Sequence, residues 1–292
     1  MSGTAKQHTA FFTGDGRLGN QLFQAAFLDG LLNAGDRLYT TGMEELLEGF
    51  DWTRFQLTNR HDSRSHHSAK RWIRRIGRLA AKLRLIDGIF QPRQTFKAAG
   101  RSYKLRGGEV KKTRGLLSRF VYVDKGYYQN ASLAQKASFR LKSKHLAAAC
   151  SYLEEMPAGP RVFVHVRRGD YAKWTIFGNS PLLDLDYFRN GMAAIKAKHP
   201  DVQFILLSDD VESVRAALPD LHVFQGSNVY EDFAMMTLCD GGVISNSTLS
   251  WWGGYFCKRQ LPVISPKGFL AAGLDFEYPV GITGSWMQPI EP

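Results

Sequence analysis

Short apolar runs alternate with amphipathic stretches along the second half of the chain. Runs typical of buried strands occur at Val162–Val166, Phe204–Leu207, Val223–Phe224, Gly242–Ser245 and Pro262–Ser265. Apolar residues at helical spacing predict intervening helices at Asp186–His199, Val211–Leu218, Glu231–Cys239 and Leu249–Lys258. This alternation predicts a parallel sheet that is covered by helices on both faces.

The chain begins with a similar pattern. A predicted strand, Thr9–Thr13, leads through a glycine-rich turn into a predicted helix, Gln21–Asn33, and a second strand follows at Arg37–Thr41. Proline and glycine cluster at residues 157–160, ahead of the regular half, and mark a boundary. We therefore predict an α/β protein with two domains, 1–156 and 157–292, facing a cleft that would hold a ligand.

The composition is typical of a soluble globular protein. Of the 292 residues, 44% are hydrophobic and 22% are charged. No apolar stretch approaches the roughly 18 residues needed to cross a bilayer, and Met1–Phe12 lacks the apolar core of a secretory signal. Cys150, Cys239 and Cys257 are too few and too scattered for a disulfide framework or a zinc site. We expect a cytoplasmic protein.

The positive charge is concentrated in one segment. The net charge is +11, and residues 60–114 contain 17 lysines and arginines against three acidic residues. We interpret this block as a basic helical insertion in the N-terminal domain. Modules that read nucleic-acid bases interleave aromatic and basic residues, whereas the aromatics of this block are widely spaced, so we expect no nucleic acid as partner. A non-catalytic protein that binds another polyanion stays an alternative.

An apolar stripe runs through the basic block. Trp72, Ile76, Leu79, Leu83 and Ile86 recur at spacings of three and four, with arginine and lysine on much of the remaining surface. We expect this stripe to pack in the core of the N-terminal domain. The alternative is a helix lying in the headgroup layer of an anionic membrane, where each basic residue contributes about 1 kcal/mol.

The glycine-rich turn imitates a dinucleotide-binding fingerprint. Residues 14–19 read G-D-G-R-L-G between a strand and a helix. The acidic residue that would hold a ribose is misplaced, because Asp36 precedes the second strand instead of ending it. Glycines needed for a tight turn explain the pattern as well. Neither interpretation accounts for Asn20 and Gln21, two amides able to bind hydroxyl groups.

A cluster of polar side chains follows the strand Val162–Val166. His165, Arg167, Arg168 and Asp170 lie where a parallel sheet usually binds its ligand. Adjacent arginines on a strand point to opposite faces, so one can enter the cleft while the other pairs with Asp170. A planar, permanently charged guanidinium suits a pyrophosphate group. A purely structural ion pair is the alternative.

Two further strand ends have polar residues. Asn246, Ser247, Thr248 and Leu249 join a strand to a helix, where backbone N–H groups and hydroxyls can bind an anion, although ordinary capping is also possible. After Phe204–Leu207, Asp209 and Asp210 could each accept hydrogen bonds from guanine or cap a helix. We expect Trp251 and Trp252 to pack in the core.

Taken together, these segments resemble the α-1,2-fucosyltransferase family, glycosyltransferase family 11. The matching segments, in chain order, are Gly16-Arg17-Leu18-Gly19-Asn20-Gln21, Gly126-Tyr127-Tyr128-Gln129, His165-Val166-Arg167-Arg168-Gly169-Asp170-Tyr171, Asp186-Tyr187-Phe188, Ser208-Asp209-Asp210, Asn246-Ser247-Thr248-Leu249-Ser250-Trp251-Trp252-Gly253 and Ser265-Pro266-Lys267. The resemblance covers most of the chain, but residues 50–117 have no clear counterpart. It implies two Rossmann-like domains of the GT-B type, with GDP-fucose held mainly by residues 157–292 and the acceptor beside residues 1–156.

The resemblance also implies roles for single residues. Arg168 or Arg167 would bind the diphosphate, and His165 with Asp209 would bind guanosine. The turn residues expected beside the donor are Asn246, Ser247, Thr248 and Leu249. The residues expected beside the transferred fucose or the acceptor are Asn20, Gln21, Tyr127 and Tyr128.

The implied reaction is transfer of L-fucose from GDP-fucose to the 2-OH of a β-galactoside, with inversion and without metal or cofactor. Asp184-Leu185-Asp186 imitates the D-x-D of metal-dependent transferases but precedes a helix, which favours capping. Asp170 and Asp15 are alternatives for the general base, although pairing with an arginine would make Asp170 a weak base. Another linkage, such as α-1,6 on N-acetylglucosamine, is the alternative within enzymes.

Overall fold

The chain folds into two compact α/β units. The structure is a computed structural model that describes residues 7–58 and 66–292. The N-terminal unit comprises Met1–Lys97 and Ser102–Arg140, and the C-terminal unit comprises Ala98–Arg101 and Leu141–Pro292. The division thus falls at residue 140 and not at 156, because a helix at Ala147–Glu155 packs against a helix at Val229–Leu238.

Helices and strands alternate over much of the described chain. The helices are α1 (Leu18–Leu31), α2 (Glu44–Gly49), α3 (His66–Lys82), α4 (Ala147–Glu155), α5 (Leu185–Lys196), α6 (Val211–Ala217), α7 (Val229–Leu238) and α8 (Thr248–Phe256). The strands are β1 (Thr9–Thr13), β2 (Arg37–Thr41), β3 (Phe50–Trp52), β4 (Gln56–Thr58), β5 (Ile86–Phe90), β6 (Arg93–Ala98), β7 (Arg101–Arg106), β8 (Lys111–Thr113), β9 (Leu117–Val123), β10 (Phe139–Leu141), β11 (Arg161–Val166), β12 (Gln203–Ser208), β13 (His222–Val223), β14 (Gly241–Val243), β15 (Val263–Pro266) and β16 (Met287–Ile290). None of the described helices combines the length and the hydrophobicity that crossing a bilayer requires.

The C-terminal unit is built on a parallel sheet in the order β13-β12-β11-β14-β15-β16. The three valines of β11 lie in one core cluster with Phe188 of α5 and Ile264 of β15. Trp251 and Trp252 of α8 are fully buried, which confirms that they are core residues. Each strand predicted in this half is present to within two residues, and β16 is an additional edge strand that the sequence pattern did not indicate.

The N-terminal unit has a second mostly parallel sheet, in the order β4-β2-β1-β9-β5-β8. Strand β1 pairs in parallel with β2 and β9, β5 pairs in parallel with β9, and β8 is antiparallel to β5. Two parallel sheets with helical connections confirm the predicted α/β class with two Rossmann-like domains. The predicted cleft stays a prediction.

The basic block is part of this sheet, so the prediction of a helical insertion over 60–114 was wrong. Among the described residues of the block, 66–114, only His66–Lys82 is helical, and the block continues into strands β5, β6, β7 and β8. Its first residues, 60–65, lie outside the described part of the chain. The prediction missed these strands because frequent lysine and arginine obscure the period-two alternation that identifies a strand.

Helix α3 packs on the sheet through small residues, so the prediction that its large apolar stripe is in the core was also wrong. Ala81 is fully buried, and a Cβ on Gly77 would lie 2.4 Å from the ring of Tyr122. This close approach turns Trp72 and Leu83 outward, where 59% and 62% of their surfaces are exposed. The periodicity of the sequence located an apolar stripe but did not show that the face with Gly77 and Ala81 would be the one packed on the sheet.

We expect Gly77→Ala to destabilise the protein although alanine is the better helix former. The new methyl group would collide with Tyr122 and push α3 away from the sheet, which costs about 1–3 kcal/mol of unfolding free energy. Gly30→Ala is the control, because Gly30 is an exposed residue of α1 whose added Cβ would meet only the Lys136 side chain. That change should raise the stability by up to about 1 kcal/mol. Equal effects on the thermal midpoint would contradict this packing.

Candidate functional site

Polar side chains gather at the carboxyl ends of three neighbouring strands of the C-terminal sheet. Val166, which ends β11, is in register with Ser208, which ends β12. Strand β14 pairs with the other side of β11 and ends at Val243, just before the polar turn. Because the strands are parallel, the residues that follow them meet at the same edge of the sheet. The three segments predicted to bind the donor are therefore brought together.

Arg167 is held by two carboxylates. Its Nη2 donates to Oδ1 of Asp170 at 2.7 Å, and its Nη1 lies 3.2 Å from Oδ2 of Asp209. The guanidinium carbon also lies 5.7 Å from the centre of the Tyr171 ring. The prediction that one arginine of the pair forms a structural ion pair thus applies to Arg167.

Arg168 is placed differently. Its backbone N–H donates to Oδ1 of Asp209 at 2.8 Å, and its Nη1 donates to the carbonyl oxygen of Leu183 at 2.9 Å. Within residues 7–58 and 66–292, no carboxylate forms an ion pair with its guanidinium. A guanidinium that is oriented by a neutral carbonyl keeps its full charge for an anion. Arg168 therefore has the geometry expected of the diphosphate-binding arginine.

Asp209 organises this loop. One of its oxygens accepts the Arg168 N–H and the other pairs with Arg167, so both are engaged within the protein. A Cβ on Gly169 would lie 2.2 Å from Oδ2 of Asp209, so this close contact requires glycine. The guanine contact expected of Asp209 stays a prediction, and it is compatible with both bonds because each carboxylate oxygen can accept a second hydrogen bond. Asp210 caps α6 by accepting from the Ser213 N–H at 3.4 Å.

His165 is a buried, neutral imidazole. Its Nδ1 lies 3.0 Å from the Oγ of Ser245, and burial together with the charge of Arg167 lowers the pKa of His165 to about 3. A histidine with this pKa does not exchange protons near neutral pH, so it can offer hydrogen bonds but no acid catalysis.

The polar turn after β14 is ordered by capping and by a tyrosine. Ser247 is the N-cap of α8 and accepts from the Leu249 N–H at 3.3 Å, so capping uses that N–H group. Tyr171 donates its hydroxyl to the Asn246 carbonyl at 2.9 Å. Oδ1 of Asn246 is buried without a hydrogen-bond partner in the described structure, which is costly unless a ligand or water uses it. Thr248 begins the helix.

In the N-terminal unit, Asn20 contacts the segment Gly126-Tyr127-Tyr128-Gln129. The Nε2 of Gln129 donates to Oδ1 of Asn20 at 2.6 Å. Tyr127, two residues before Gln129, is 41% exposed. Burial of the rest of its side chain, together with the charge of Asp15, raises the pKa of its hydroxyl. Asn20 and Tyr127 stay candidates for contact with a sugar.

Gln21 and Tyr128 are core residues, which corrects their predicted place beside the acceptor. The Gln21 side chain is buried, donates to the Gly16 carbonyl at 3.0 Å and accepts from the Leu46 N–H at 2.9 Å. Tyr128 is 3% exposed and stacks on Phe27 with ring centres 3.8 Å apart. Both residues match the family pattern because the fold needs them, and a sequence motif does not separate that need from catalysis.

The first turn of α1 is occupied by the protein's own carboxylate. Oε2 of Glu45 accepts from the Leu18 N–H at 2.6 Å, at the place where a dinucleotide would put its pyrophosphate. Gly14 is required by the turn, because a Cβ there would lie 2.2 Å from the carbonyl oxygen of Gly42. The turn therefore requires Gly14 for its structure and does not present a dinucleotide-binding site.

Neither carboxylate considered as general base is a strong one. Burial raises the pKa of Asp15, but the hydrogen bond and charge of Lys125, with the charges of Lys70 and Arg74, outweigh it and lower the pKa. Asp170 is exposed and bound to Arg167. The two stay alternatives.

The D-x-D-like segment is a helix cap. Oδ1 of Asp184 accepts from the Asp186 N–H at 3.0 Å at the start of α5, and Asp186 pairs with Arg189. Among residues 7–58 and 66–292, no group of three or more histidine, cysteine, aspartate or glutamate side chains could hold a metal ion.

Sequence reasoning missed three residues that position this site. Ser245 contacts His165, Tyr171 fixes the Asn246 carbonyl, and the Leu183 carbonyl orients Arg168. Tyr171 and Ser245 lie next to predicted site residues in the sequence, which was an available signal. Leu183 contributes only a backbone atom, so no side-chain pattern could have identified it.

We expect His165 to make stability fall with acidification. The unfolded chain binds a proton near pH 6.5, whereas the folded chain does not until about pH 3, so unfolding takes up a proton across this window. Between pH 7.5 and 5.5 this costs the wild type about 1 kcal/mol of unfolding free energy, which His165→Gln should not lose. The thermal midpoints at both values measure this, with His222→Gln, at an exposed position, as control. Parallel curves for the wild type and His165→Gln would contradict a buried neutral imidazole.

The chain is similar to known proteins over part of its length. It is 31% identical over 116 residues to the O-antigen biosynthesis glycosyltransferase WbnK of Escherichia coli, which covers 37% of this chain and 38% of that protein. It is 33% identical over 102 residues to galactoside 2-alpha-L-fucosyltransferase SEC1 of Bos taurus, covering 32% and 28%. It is 32% identical over 112 residues to galactoside alpha-(1,2)-fucosyltransferase 1 of Ateles belzebuth, covering 33% and 29%. The chain thus spans less than two fifths of the length of these relatives.

The structure was also compared with solved structures. The crystal structure of fucosyltransferase NodZ from Bradyrhizobium aligns with a TM-score of 0.48 and 14% sequence identity, over 87% of this chain and 94% of that chain. This likeness is too distant to bear on function. A model of glycosyl transferase family 11 matches residues 99–272. This range includes the polar residues at the strand ends of the C-terminal unit, which we call the strand-end cluster: His165, Arg167, Arg168, Asp209 and Asn246. The chain belongs to glycosyl transferase family 11.

Proposed function

We propose that the chain transfers L-fucose from GDP-fucose to the 2-OH of a terminal β-galactoside on a glycan, with inversion at fucose C1. The observation that supports this most is that the family 11 match contains the strand-end cluster, in which the Leu183 carbonyl holds the Arg168 side chain and no carboxylate of the described residues pairs with it. Two of the similar proteins are named as galactoside α-1,2-fucosyltransferases, which supports the linkage and the acceptor class.

On the donor side, the bond between fucose C1 and the β-phosphate oxygen breaks as negative charge grows on the diphosphate. Arg168 stabilises that charge, and a donor of this kind contributes roughly 3–4 kcal/mol when it is preorganised. The Leu183 carbonyl and the Asp209 carboxylate supply the preorganisation, because they fix the side chain and the backbone of Arg168. His165 lines the nucleoside end as a neutral group.

On the acceptor side, the polar side chain that would contact the sugar is Asn20, in the first turn of α1. Gln129 donates to Oδ1 of Asn20, which leaves the Asn20 amide N–H groups to donate to a sugar hydroxyl. Asp15 follows Gly14 in the glycine-rich turn and is ionised through its contact with Lys125, so it can accept from a hydroxyl even though it is a weak base. Asp15 and Asp170 are both retained as general-base alternatives.

We expect Arg168→Lys to lower kcat by about 100-fold or more. Lysine keeps the charge but loses the planar pair of donors that matches a phosphate and also binds the Leu183 carbonyl. Arg189→Lys is the control, because Arg189 is a half-exposed arginine of α5 paired with Asp186. Thermal melting of each variant separates lost folding from lost chemistry. Normal kcat in a folded Arg168→Lys variant would show that another group receives the leaving diphosphate.

We also expect catalysis to need no metal ion. The proposed charge stabilisation comes from Arg168 and the start of α8, and the D-x-D-like Asp184 is used as a helix cap. Full activity should therefore survive excess EDTA. A loss of activity that Mn²⁺ or Mg²⁺ restores would contradict this.

The test of the proposed function is fucose transfer from labelled GDP-fucose to lactose, a simple β-galactoside, followed by linkage assignment of the product by NMR. An α-1,2-linked product with inverted C1 is expected. A product linked elsewhere, such as α-1,6 on an N-acetylglucosamine acceptor, would favour the other fucosyltransferase hypothesis. If no fucose is transferred to any acceptor and the protein is retained tightly on a heparin column, the alternative of a non-catalytic polyanion-binding protein would be favoured.

A further inference from the structure

A patch of large apolar side chains is exposed on the N-terminal unit. We call it the apolar patch and define it by Trp72, Ile76 and Leu79 of α3, Leu83 directly after the helix, Leu116 directly before β9 and Leu117 at the start of β9. The exposed fractions of these six side chains range from 58% for Leu79 and Leu117 to 85% for Leu116. Scattered exposed leucines are normal, but a contiguous group of this size marks a surface that contacts something apolar.

The segment that follows α3 and the segment that enters β9 are joined by backbone hydrogen bonds. The Leu116 N–H donates to the Arg84 carbonyl and the Leu117 N–H donates to the Leu85 carbonyl, each at 2.9 Å. The segment that leaves α3 is therefore tied to the segment that enters β9. Leu116 and Leu117 are thus brought beside Arg84 and Leu85, the residues that directly follow Leu83.

The packing of α3 fixes this orientation. Its inner face consists of small residues, since Gly77 lies against Tyr122, and Ala81 approaches Gly88 of β5 so closely that a Cβ there would lie 2.9 Å from that of Ala81. Rotating the helix to bury Trp72 would bring larger side chains against this surface, where no room exists. The exposure of the patch is thus a consequence of the fold and not of a loose helix.

The residues beside the patch are cationic. The exposed basic side chains within two residues of its members in sequence are Arg71, Arg75, Lys82, Arg84, Arg114 and Arg119. Asp87, the nearby acidic residue, is turned to the backbone and accepts from the Gly115 N–H at 2.8 Å. An apolar surface bordered by cations is complementary to a bilayer with anionic headgroups, where the apolar residues enter the acyl boundary and the cations stay with the phosphates.

We propose that this face docks on an anionic lipid bilayer, with α3 lying in the plane of the headgroups. A second copy of the chain fits the face less well, because a two-fold contact would bring the six cations of each copy together. Helix α3 has 17 residues, so it would lie along roughly 25 Å of the membrane surface. Docking would hold the enzyme beside acceptors that are attached to lipid.

Two arginines of α3 do not belong to this surface. Arg74 donates to the Oγ1 of Thr13 at 2.8 Å, and Arg78 pairs with Asp124. Changing them would disturb the sheet and would not report on docking. The charge variant is therefore Arg71→Gln with Lys82→Gln, and its control removes the same charge from the C-terminal unit at two exposed positions, Lys196→Gln with Lys198→Gln.

The experiment is co-sedimentation of the full chain with vesicles of phosphatidylglycerol and phosphatidylcholine, and with vesicles of phosphatidylcholine alone. The wild type should bind the anionic vesicles and be released as salt rises to about 0.5 M, because the attraction is screened. Arg71→Gln with Lys82→Gln should weaken partitioning by about tenfold or more, whereas the lysine control pair should not. Trp72→Gln with Leu83→Gln should weaken it similarly, with Val280→Gln, an exposed apolar position of the C-terminal unit, as control.

Four outcomes would overturn the proposal. The first is that wild-type protein stays in the supernatant at low salt, and the second is that it binds neutral and anionic vesicles equally. The third is that the apolar variant retains wild-type partitioning. The fourth is that Trp72→Gln with Leu83→Gln converts a dimer into a monomer in sedimentation velocity without changing vesicle binding, since the patch would then be an interface between copies. Fucose transfer to soluble lactose should be unchanged in both variants.

Discussion

The carboxylate of Asp209 is the contact on which the geometry of the strand-end cluster depends. It accepts the backbone N–H of Arg168 with one oxygen and pairs with the guanidinium of Arg167 through the other. The charge of Arg167 is thereby neutralised, whereas the guanidinium of Arg168 keeps its charge. Two residues of identical chemistry, adjacent in sequence, have different surroundings because one carboxylate reaches the backbone of Arg168 and the side chain of Arg167. The contact needs Gly169, since any Cβ would displace it.

The parallel sheet supplies this carboxylate at the right place. Strand β12 ends beside β11, so Asp209 arrives next to the arginine pair, and β14 brings the polar turn to the other side of the same edge. Burial then sets the chemistry of the remaining groups. His165 is kept neutral, and Asn246 is fixed by Tyr171 while its Oδ1 is left without a described partner. This arrangement fits the proposed binding of an anion and leaves little capacity for proton transfer.

The sequence predicted the C-terminal unit well because its strands are buried on both faces, and continuous apolar runs are easily recognised. It also predicted that one arginine of the pair would form an ion pair with a carboxylate such as Asp170, although not that this would be Arg167. Prediction from the sequence failed where the same residue type can serve either the packing of the core or the binding of a substrate. Gln21 and Tyr128 match a functional motif but are buried structural residues. In α3, the periodicity located an apolar stripe, but the small residues Gly77 and Ala81 decided which face met the sheet.

The asymmetry of the arginine pair can be measured directly by titrating GDP and guanosine into the wild type and into Arg168→Gln by calorimetry. If Arg168 is the group that Asp209 and the Leu183 carbonyl hold for the diphosphate, the variant should bind GDP about 10- to 100-fold more weakly, the loss expected for a charge-assisted hydrogen bond. Its affinity for guanosine, which has no phosphate, should be unchanged. Equal losses for both ligands, or unchanged affinity for GDP, would contradict the account.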